Sequence, residues 1–381
     1  MHLMIVTPIF PPATGGAATY YGTLSRELLA SGGVRRITII TERFPGESAQ
    51  TEDSSRKLRV VRLFPHRAGG ALGVLGQGTR YCLQNLQYPG LLAIVEATGV
   101  NAVVVHSSFH NLPNLLGTTI ARLPGSVLRI ADVRDHQMPA TKLAQLEVYD
   151  RIIACSENVA EHLARHAVLR ERVRVIPIPQ DTLLVADTAA NRQIVADAGL
   201  EPERYILFAG LFKRRKGVEL LLDAHRTYQA SALRAGAPML TLAFAGVVKE
   251  RAFARRAARM PGVRILGPLE RARLLALMRF AALNVNLSSS EGMPRACLEA
   301  LALGTRVILP PGIPEFRRYC GPWVAASDDD PEVLARQFGA VLSQPPPAGY
   351  PLEQHSIDHV LPRYIEVLMH TTPASCYRPF A

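Results

Sequence analysis

Short runs of aliphatic residues alternate with longer amphipathic stretches from one end of the chain to the other. Short apolar runs bounded by turn residues are typical of buried strands. The first series of predicted strands comprises Leu3–Thr7, Arg36–Thr41, Leu58–Leu63, Ala102–His106, Val127–Ala131, Ile152–Cys155 and Val173–Ile176. The second series comprises Tyr205–Ala209, Leu240–Ala245, Val263–Leu266, Leu283–Leu287 and Arg306–Leu309.

Amphipathic stretches predict helices in many of the gaps between these strands. They include Ala18–Ala30, Arg80–Thr98, Gly217–Gln229, Arg251–Arg259, Arg271–Ala281, Pro294–Leu303, Pro331–Leu342 and a last helix at Ile357–His370. Strands that alternate with helices form parallel sheets covered on both faces. The sequence therefore predicts an α/β protein with two Rossmann-like βαβ domains.

The apolar periodicity lapses between Pro177 and Arg204, which predicts the boundary between the two domains. We expect an N-terminal domain at residues 1–180, a C-terminal domain at 181–355, and a helix and tail at 356–381 that pack back toward the N-terminal domain. Ligands of such sheets bind at the carboxyl ends of the strands. Two sheets that face each other predict a ligand cleft between the domains.

The composition is that of a folded globular protein, because 48% of the 381 residues are hydrophobic and 20% are charged. This much apolar material excludes a disordered or low-complexity protein. No apolar run reaches the roughly 18 residues that a transmembrane helix needs. The start, Met1–Val6, has no basic flank and is predicted as a first strand, not as a signal peptide.

The five cysteines are scattered and include no C-x-x-C pair, which argues against a disulfide framework and a thiolate metal site. They are Cys82, Cys155, Cys297, Cys320 and Cys376. This usage fits a reducing cytoplasm. The net charge of +11 indicates anionic partners, namely nucleotides, phosphorylated acceptors, anionic lipid or nucleic acid. GC-rich coding is an equally good explanation of the many arginines.

The segment Ser288–Gly304 carries the most informative chemistry. It follows an apolar strand, places Pro294 in the first turn of a helix and ends at a glycine suited to a helix C-terminus. We expect Ser290 or Glu291 to cap this helix, whose free N–H groups and dipole favour a bound anion. Glu291 and Glu299 would then flank a phosphate site and hold hydroxyl groups at both ends of a nucleotide-sugar. A capped helix with solvated glutamates is the alternative.

This segment resembles the hallmark of the family-4 retaining glycosyltransferases, which have the GT-B fold. The hallmark is two glutamates separated by seven residues, in the context S-E-G-x-P/G-x-x-x-x-E-A-x-A-x-G, and here they are Glu291 and Glu299. The resemblance spans most of the chain and implies two Rossmann-like domains that face each other across a cleft. Further matches in the same order are Gly15-Gly16, Asp150–Glu157, Gly210 with Lys216-Gly217, Gly262–Gly267 and Pro311–Glu315.

The resemblance implies a donor site in the C-terminal domain. Glu299 binds the ribose hydroxyl groups, and Glu291 contacts hydroxyl groups of the donor sugar and belongs to the catalytic set. Lys216, with Arg215 beside it, neutralises the diphosphate as a catalytic cation; a surface lysine before a helix is the alternative. The remaining donor-binding residues are Gly292, Met293 and Pro294, close to the sugar and phosphates, and Ile265, whose backbone meets the base.

In the N-terminal domain the resemblance implies a glycine loop and an acidic residue on the acceptor side of the cleft. Gly15 and Gly16 follow the first strand, where glycine lets the backbone come close to a ligand. A plain flexible turn is the alternative for this pair, which does not form a G-x-G-x-x-G nicotinamide fingerprint. Asp132 matches the aspartate of a His-Asp pair in the family.

Two positions depart from the family pattern. The family carries arginine in G-R-x-x-x-x-K-G, and this chain has Leu211 there. The family His-Asp reads Ala131-Asp132, so its histidine is missing. We take His136 as the candidate catalytic histidine, with a structural histidine as the alternative. Other groups that could compensate are Lys213, Arg214 and Arg215 for the charge, and His106 and His110 for the imidazole.

We therefore expect a retaining transferase that moves a sugar from a UDP- or GDP-type donor to an acceptor hydroxyl. The acceptor would be a cell-envelope glycan, a glycolipid or a natural product. No cofactor and no essential metal are expected, because cationic side chains can hold the diphosphate. One alternative is a nucleotide-sugar epimerase or phosphorylase of the same fold. Another is a degenerate nucleotide-sugar-binding protein. Nucleic acid is not an expected partner, because the sequence has no aromatic-basic platform.

The expected location is the cytoplasm, with peripheral contact to the inner face of the membrane as an open alternative. Four arginines along one helical face bear on this membrane contact. Their face is either a contact for an anionic surface or simply solvated. The four arginines are Arg251, Arg255, Arg256 and Arg259. The sequence contains no clear amphipathic anchor.

Overall fold

The computed structural model divides the chain into two α/β units, each built on one sheet. Unit 1 contains Met1–Pro179 and the C-terminal residues from Ile357, and unit 2 contains Gln180–Ser356. The structure describes residues 1–13, 15–43, 47–52, 55–65, 90–107, 115–180, 185–237, 239–326 and 329–369.

The described part of unit 1 is built on an eight-stranded sheet. Its strands are β1 (His2–Val6), β2 (Arg36–Arg43), β3 (Gln50–Glu52), β4 (Leu58–Pro65), β5 (Ala102–His106), β6 (Leu128–Val133), β7 (Arg151–Ala154) and β8 (Val173–Val175). The spatial order is β3-β4-β2-β1-β5-β6-β7-β8, and the pairs are parallel except for β3 with β4. All five residues of β1 are buried, as expected for a central parallel strand covered on both faces.

Helices connect these strands in the pattern typical of a Rossmann-like sheet. They are α1 (Gly16–Ala30), α2 (90–98), α3 (Leu115–Ala121), α4 (Ala140–Gln145), α5 (Glu157–Ala164) and α6 (Ala167–Arg170). The first helix begins two residues before its predicted start at Ala18. The helix predicted at Arg80–Thr98 is present over 90–98, and its first part lies outside the described residues.

Unit 2 has a five-stranded sheet that is parallel throughout. Its strands are β9 (Tyr205–Ala209), β10 (Thr241–Ala245), β11 (Val263–Gly267), β12 (Leu283–Val285) and β13 (Val307–Ile308), in the spatial order β11-β10-β9-β12-β13. Its helices are α7 (Ala189–Asp197), α8 (Val218–Ala235), α9 (Arg251–Ala257), α10 (Arg271–Phe280), α11 (Arg295–Ala302), α12 (Pro314–Cys320) and α13 (Pro331–Leu342). In this order β11 is an edge strand.

The last helix, α14 (Ile357–Met369), packs on α1 and so belongs to unit 1. Val360 and Tyr364 on α14 are fully buried. The guanidinium of Arg151 on β7 donates a hydrogen bond to the carbonyl oxygen of Val367. These contacts attach the end of the described chain to the first α/β unit.

The predicted α/β class with two Rossmann-like parallel sheets is confirmed. Several elements, among them β3 and α7, lie where the sequence predicts none. β3 consists of Gln50, Thr51 and Glu52 and has no apolar run to reveal it. Helix α7 lies where apolar periodicity lapses, because Val195 is its single buried residue. None of the described helices combines the length and the apolar composition that a membrane span requires.

Candidate functional site

Two loops at the carboxyl ends of β9 and β12 are hydrogen-bonded to each other. After β9 the chain passes through a 3₁₀ turn, Arg214–Lys216, before α8 begins. The N–H of Ser289, in the loop after β12, donates to the carbonyl oxygen of Arg215 at 3.0 Å. The hydroxyl of Ser289 donates to the same oxygen at 3.3 Å. The two loops therefore hold one another in place at the sheet edge where ligands bind.

Gly217 ends the 3₁₀ turn in a conformation that requires glycine. Its φ is +70°, in the left-handed region. A Cβ atom at this position would lie 2.5 Å from the Cβ of Leu287 and 2.8 Å from the Leu287 carbonyl oxygen. The Lys-Gly pair thus packs directly against the strand end that leads to the two glutamates.

Lys216 and Glu291 form an ion pair through Nζ and Oε1. The hydroxyl of Ser288 donates to the same carboxylate oxygen at 3.0 Å. Both charged side chains are largely buried, with exposed fractions of 15% for Lys216 and 19% for Glu291. Burial lowers the pKa of the Lys216 ammonium to about 8, and the charges of Arg215 and Lys213 add to the lowering. The site has a surplus of partly desolvated positive charge that a bound anion would offset.

Helix α11 begins immediately after Gly292, Met293 and Pro294, all three of which are buried. Pro294 is the N-cap residue and makes no side-chain cap hydrogen bond to the helix. The predicted cap by Ser290 or Glu291 is wrong, because the Glu291 carboxylate is engaged by Lys216 instead. The predicted glycine at the helix end is confirmed: Gly304 has a φ of +63°.

Glu299 lies on α11 and is buried. Nη1 of Arg271, the first residue of α10, contacts Oε1 of Glu299 at 2.6 Å. Nη2 of Arg295, one helical turn before Glu299, lies 3.7 Å from the same oxygen. Both contacts fall on Oε1 of the Glu299 carboxylate. Sequence reasoning missed Arg271, since no motif separates it from the other arginines of α10.

Ile265 lies on the edge strand β11, where it pairs with Phe244 of β10. An edge strand leaves backbone groups on its outer side unused by the sheet. The residues of β11 are also only partly buried. A planar base could therefore reach backbone donors and acceptors here, as the resemblance implies for this segment.

The residues around the missing family arginine are all placed by the structure. Leu211 is half-buried, and Arg215 is exposed. Arg214 donates its backbone N–H to Glu250 at 3.0 Å, and its guanidinium lies 3.8 Å from Glu219. Lys213 is half-buried, and burial together with Arg215 and Lys249 lowers its pKa. Basic side chains therefore follow Leu211 closely, and of these Lys216 contacts a predicted site carboxylate.

In unit 1, the predicted glycine loop forms the start of α1. Gly15 has a φ of +153°, and a Cβ atom on it would lie 3.4 Å from Ile9 Cδ1. The helix starts at Gly16, with no side-chain cap on its first turn. The loop that follows the central strand β1 therefore ends at the start of α1, where Gly15 provides no side-chain cap.

Asp132 lies inside unit 1 and is fully buried. Tyr21 donates to its Oδ2 at 2.8 Å, and Arg134 donates to Oδ1 and Oδ2 at 2.8 Å each. The Arg134 guanidinium also stacks over the ring of Tyr20, 3.7 Å from its centroid. Both oxygens of Asp132 are therefore taken by protein groups.

The histidine candidates differ in their surroundings. His136 is half-buried, its Nδ1 is buried without a partner among the described residues, and burial with His162 lowers its pKa. His106, at the end of β5, is the register partner of Asp132. Burial lowers the pKa of His106 to about 4, which keeps it neutral. Ala131 is fully buried, and His110 lies outside the described residues.

Comparison with family models matches residues 203–344 to the family described as glycosyl transferases group 1. The match covers most of unit 2 and includes Lys216, Ile265, Arg271, Glu291 and Glu299. A comparison with curated protein sequences found no match.

Solved structures share the fold over nearly the whole chain. Sucrose-phosphate synthase from Thermosynechococcus elongatus is 19% identical, with a TM-score of 0.68 over 97% of this chain and 96% of that one. WaaG, a glycosyltransferase involved in lipopolysaccharide biosynthesis, is 14% identical, with a TM-score of 0.65 over 96% and 99%. Anabaena HepE, solved in complex with UDP and glucose, is 14% identical, with a TM-score of 0.63 over 96% and 95%.

Proposed function

We propose that this protein, a glycosyltransferase of the GT-B type, transfers a sugar from a nucleoside diphosphate to an acceptor hydroxyl. The transfer retains the configuration at the anomeric carbon. The observation that carries this proposal is the contact between Lys216 and Glu291 at the carboxyl ends of β9 and β12. It joins the two motifs that the resemblance assigns to the diphosphate and to the donor sugar.

Each end of the donor has a matching group in unit 2. Lys216 would stabilise the negative charge that develops on the departing diphosphate, which is a major share of catalysis in such transfers. Arg215 and the positive end of the α11 dipole would add attraction for phosphate oxygens. Glu291 would accept hydrogen bonds from the sugar. Glu299 would accept them from the ribose.

Unit 1 supplies the acceptor side. The start of α1 at Gly15 and Gly16 lets a ligand approach the backbone, and we assign His136 as a group that contacts the acceptor. Its buried Nδ1, without a partner among the described residues, and its lowered pKa support a neutral imidazole that can hydrogen-bond the acceptor hydroxyl. Asp132 would act on this side indirectly, because Tyr21 and Arg134 occupy its oxygens.

Retention follows from a same-face displacement. The departing phosphate oxygen takes the proton of the acceptor hydroxyl while the new glycosidic bond forms on the face that the diphosphate leaves. The protein then supplies positioning and charge stabilisation and no covalent nucleophile. Neither a cofactor nor an essential metal is part of the proposal, because Lys216 and its basic neighbours carry the needed charge.

Thermal stabilisation by a panel of nucleoside diphosphates and nucleotide-sugars tests the donor site. A ligand at about 100 times its Kd adds roughly 2.7 kcal/mol to the stability of the folded state. We expect one base family to stabilise the wild type and the effect to be lost in Glu299→Ala. Glu332→Ala, which removes an exposed glutamate from α13 in the same unit, should keep it.

Transfer with the donor so identified tests the reaction. An NMR assignment of the product should show the anomeric configuration of the donor. An inverted product would overturn the mechanism, and the absence of any nucleotide response would overturn the donor site.

The second candidate is a nucleotide-sugar-binding protein without turnover. Leu211 and the buried Ala131 favour it, since both stand where the family carries a polar side chain. Donor binding with no transfer to any acceptor, and with no release of nucleotide, would support this candidate over the transferase.

We place the reaction in the cytoplasm, at or near the anionic inner face of the membrane. Cys297 and Cys320 are buried free thiols, which is compatible with a reducing compartment. Arg251, Arg255 and Arg259 are exposed, as an anionic surface contact requires. Co-sedimentation with phosphatidylglycerol vesicles, compared with phosphatidylcholine vesicles, tests the membrane contact.

A further inference from the structure

Arg271 uses only part of its guanidinium on the protein. Nη1 contacts Oε1 of Glu299 at 2.6 Å. Nη2 is buried and has no hydrogen-bond partner among the described residues. A guanidinium normally directs several donors at its partners, and a buried donor without an acceptor is unfavourable. The unused Nη2 therefore indicates a missing acceptor beside Glu299.

The surroundings of Arg271 indicate what that acceptor is. Arg271 opens α10, four residues after Gly267, the last residue of the edge strand β11. Helix α10 also packs against α11, which carries Glu299. The Arg271 guanidinium thus contacts the carboxylate assigned to the ribose, and its backbone follows the strand assigned to the base by four residues. Both neighbours belong to the nucleoside half of the proposed donor site.

Arg295 provides an internal comparison. Its Nη2 approaches the same Oε1 at 3.7 Å, from the helical turn before Glu299. Its guanidinium has no unpartnered buried nitrogen. Glu299 is therefore held from two sides, and of the two arginines Arg271 carries the unused donor.

We propose that Arg271 binds the nucleoside of the donor directly. Nη1 fixes the Glu299 carboxylate, and Nη2 donates a hydrogen bond to the base acceptor next to the glycosidic bond, which is O2 of a pyrimidine or N3 of a purine. This inference rests on the proposed donor site and adds to it a residue that binds the base beside the glycosidic bond. The ligand class is a nucleoside diphosphate.

Calorimetric titration with UDP, GDP and ADP tests the inference. We expect Arg271→Met to weaken the tightest of the three by about tenfold, as for the loss of a charge-assisted hydrogen bond. Arg273→Met, which removes an exposed arginine two residues along the same helix, should bind like the wild type. Arg271→Lys keeps a cation beside Glu299 and so guards against a folding defect. Arg271→Lys should still bind the nucleotide weakly, because one ammonium cannot take the positions of both Nη1 and Nη2.

The 2′,3′-dideoxy analogue of the same nucleotide separates direct contact from an effect through Glu299. It lacks the hydroxyl groups that Glu299 would bind, so a penalty that acts through Glu299 should disappear with it. With this analogue we expect Arg271→Met still to bind more weakly than the wild type. Arg295→Met should bind it as tightly as the wild type does. Normal binding by Arg271→Met, or a penalty that vanishes with the analogue, would overturn the inference and leave the donor site standing. A wild type that binds none of the three nucleotides would overturn both.

Discussion

The carbonyl oxygen of Gly210 occupies the space that a Cβ atom on Gly246 would need. Gly246 follows β10 and Gly210 follows β9, so the two strand ends touch backbone to backbone. Gly246 also has a φ of +144°, and its N–H donates to the carbonyl oxygen of Gly267 at 2.7 Å. Three neighbouring strand ends are thereby fixed at the edge of the sheet that carries the candidate donor site.

Replacing Gly246 should therefore destabilise the fold strongly. We expect Gly246→Ala to cost about 3 kcal/mol or more, because it adds a backbone clash to an unfavourable φ. Gly236→Ala is the matched control, since Gly236 has a φ of +62° and open space around its Cβ position. The control should cost about 1 kcal/mol, the price of the left-handed conformation alone. Urea unfolding of both variants checks this, and equal losses would contradict the predicted clash.

The lowered pKa of Lys216 predicts a pH dependence of the reaction. kcat/KM for the donor should fall as the pH rises through about 8, because the ammonium must be protonated to stabilise the diphosphate. Lys216→Arg stays charged and should lose this step while it retains some activity. A pH–rate profile of the two proteins is the measurement. A wild-type profile that stays flat through this region would count against Lys216 as the catalytic cation.

The same shift has a defined effect on stability. The folded-state pKa of Lys216, about 8, lies below the ordinary value of 10.5, so the unfolded chain binds this proton more tightly. The contribution of Lys216 to the free energy of unfolding should therefore become more favourable between about pH 8 and pH 10.5. The free energies of unfolding of the wild type and Lys216→Met, measured at both ends of that pH interval, isolate the contribution of Lys216.

Asp132 should matter chiefly for the stability of unit 1. Asp132→Ala leaves Arg134 largely buried without its carboxylate, and we expect a loss of about 3–5 kcal/mol. Asp187→Ala removes a similar two-contact partner from Arg192, but that pair is half-exposed. It should cause no measurable loss. Urea unfolding measures the loss of stability in both variants. Equal losses would contradict the prediction that the Asp132 contacts stabilise the fold because they are buried.

The strands that are easiest to predict are those with uninterrupted apolar runs. Ala102–His106 and Tyr205–Ala209 coincide with β5 and β9, because buried parallel strands are apolar on both faces. β3 has three polar residues and forms by pairing with β4 at the sheet edge. Such an element depends on its partner and leaves no periodic signal in its own residues.

The candidate site likewise combines features that are visible in the local sequence with features that depend on distant residues. The spacing of Glu291 and Glu299, and the Lys-Gly turn, are visible in the sequence. The ion pair of Lys216 with Glu291 depends on hydrogen bonds between two loops that are distant in the chain, so no local pattern encodes it. The contact of Arg271 with Glu299 is equally hidden, since Arg273 beside it looks the same in sequence but is exposed.

Helix α14 makes unit 1 discontinuous, since its strands come from the first part of the chain and its last helix from residues 357–369. Unit 2 is a single uninterrupted segment between them. A ribosome that has released the whole of unit 2 has still not supplied the helix that covers α1. Domains generally fold as units during synthesis. The second unit can therefore be finished first, and the first must wait with part of its apolar surface uncovered.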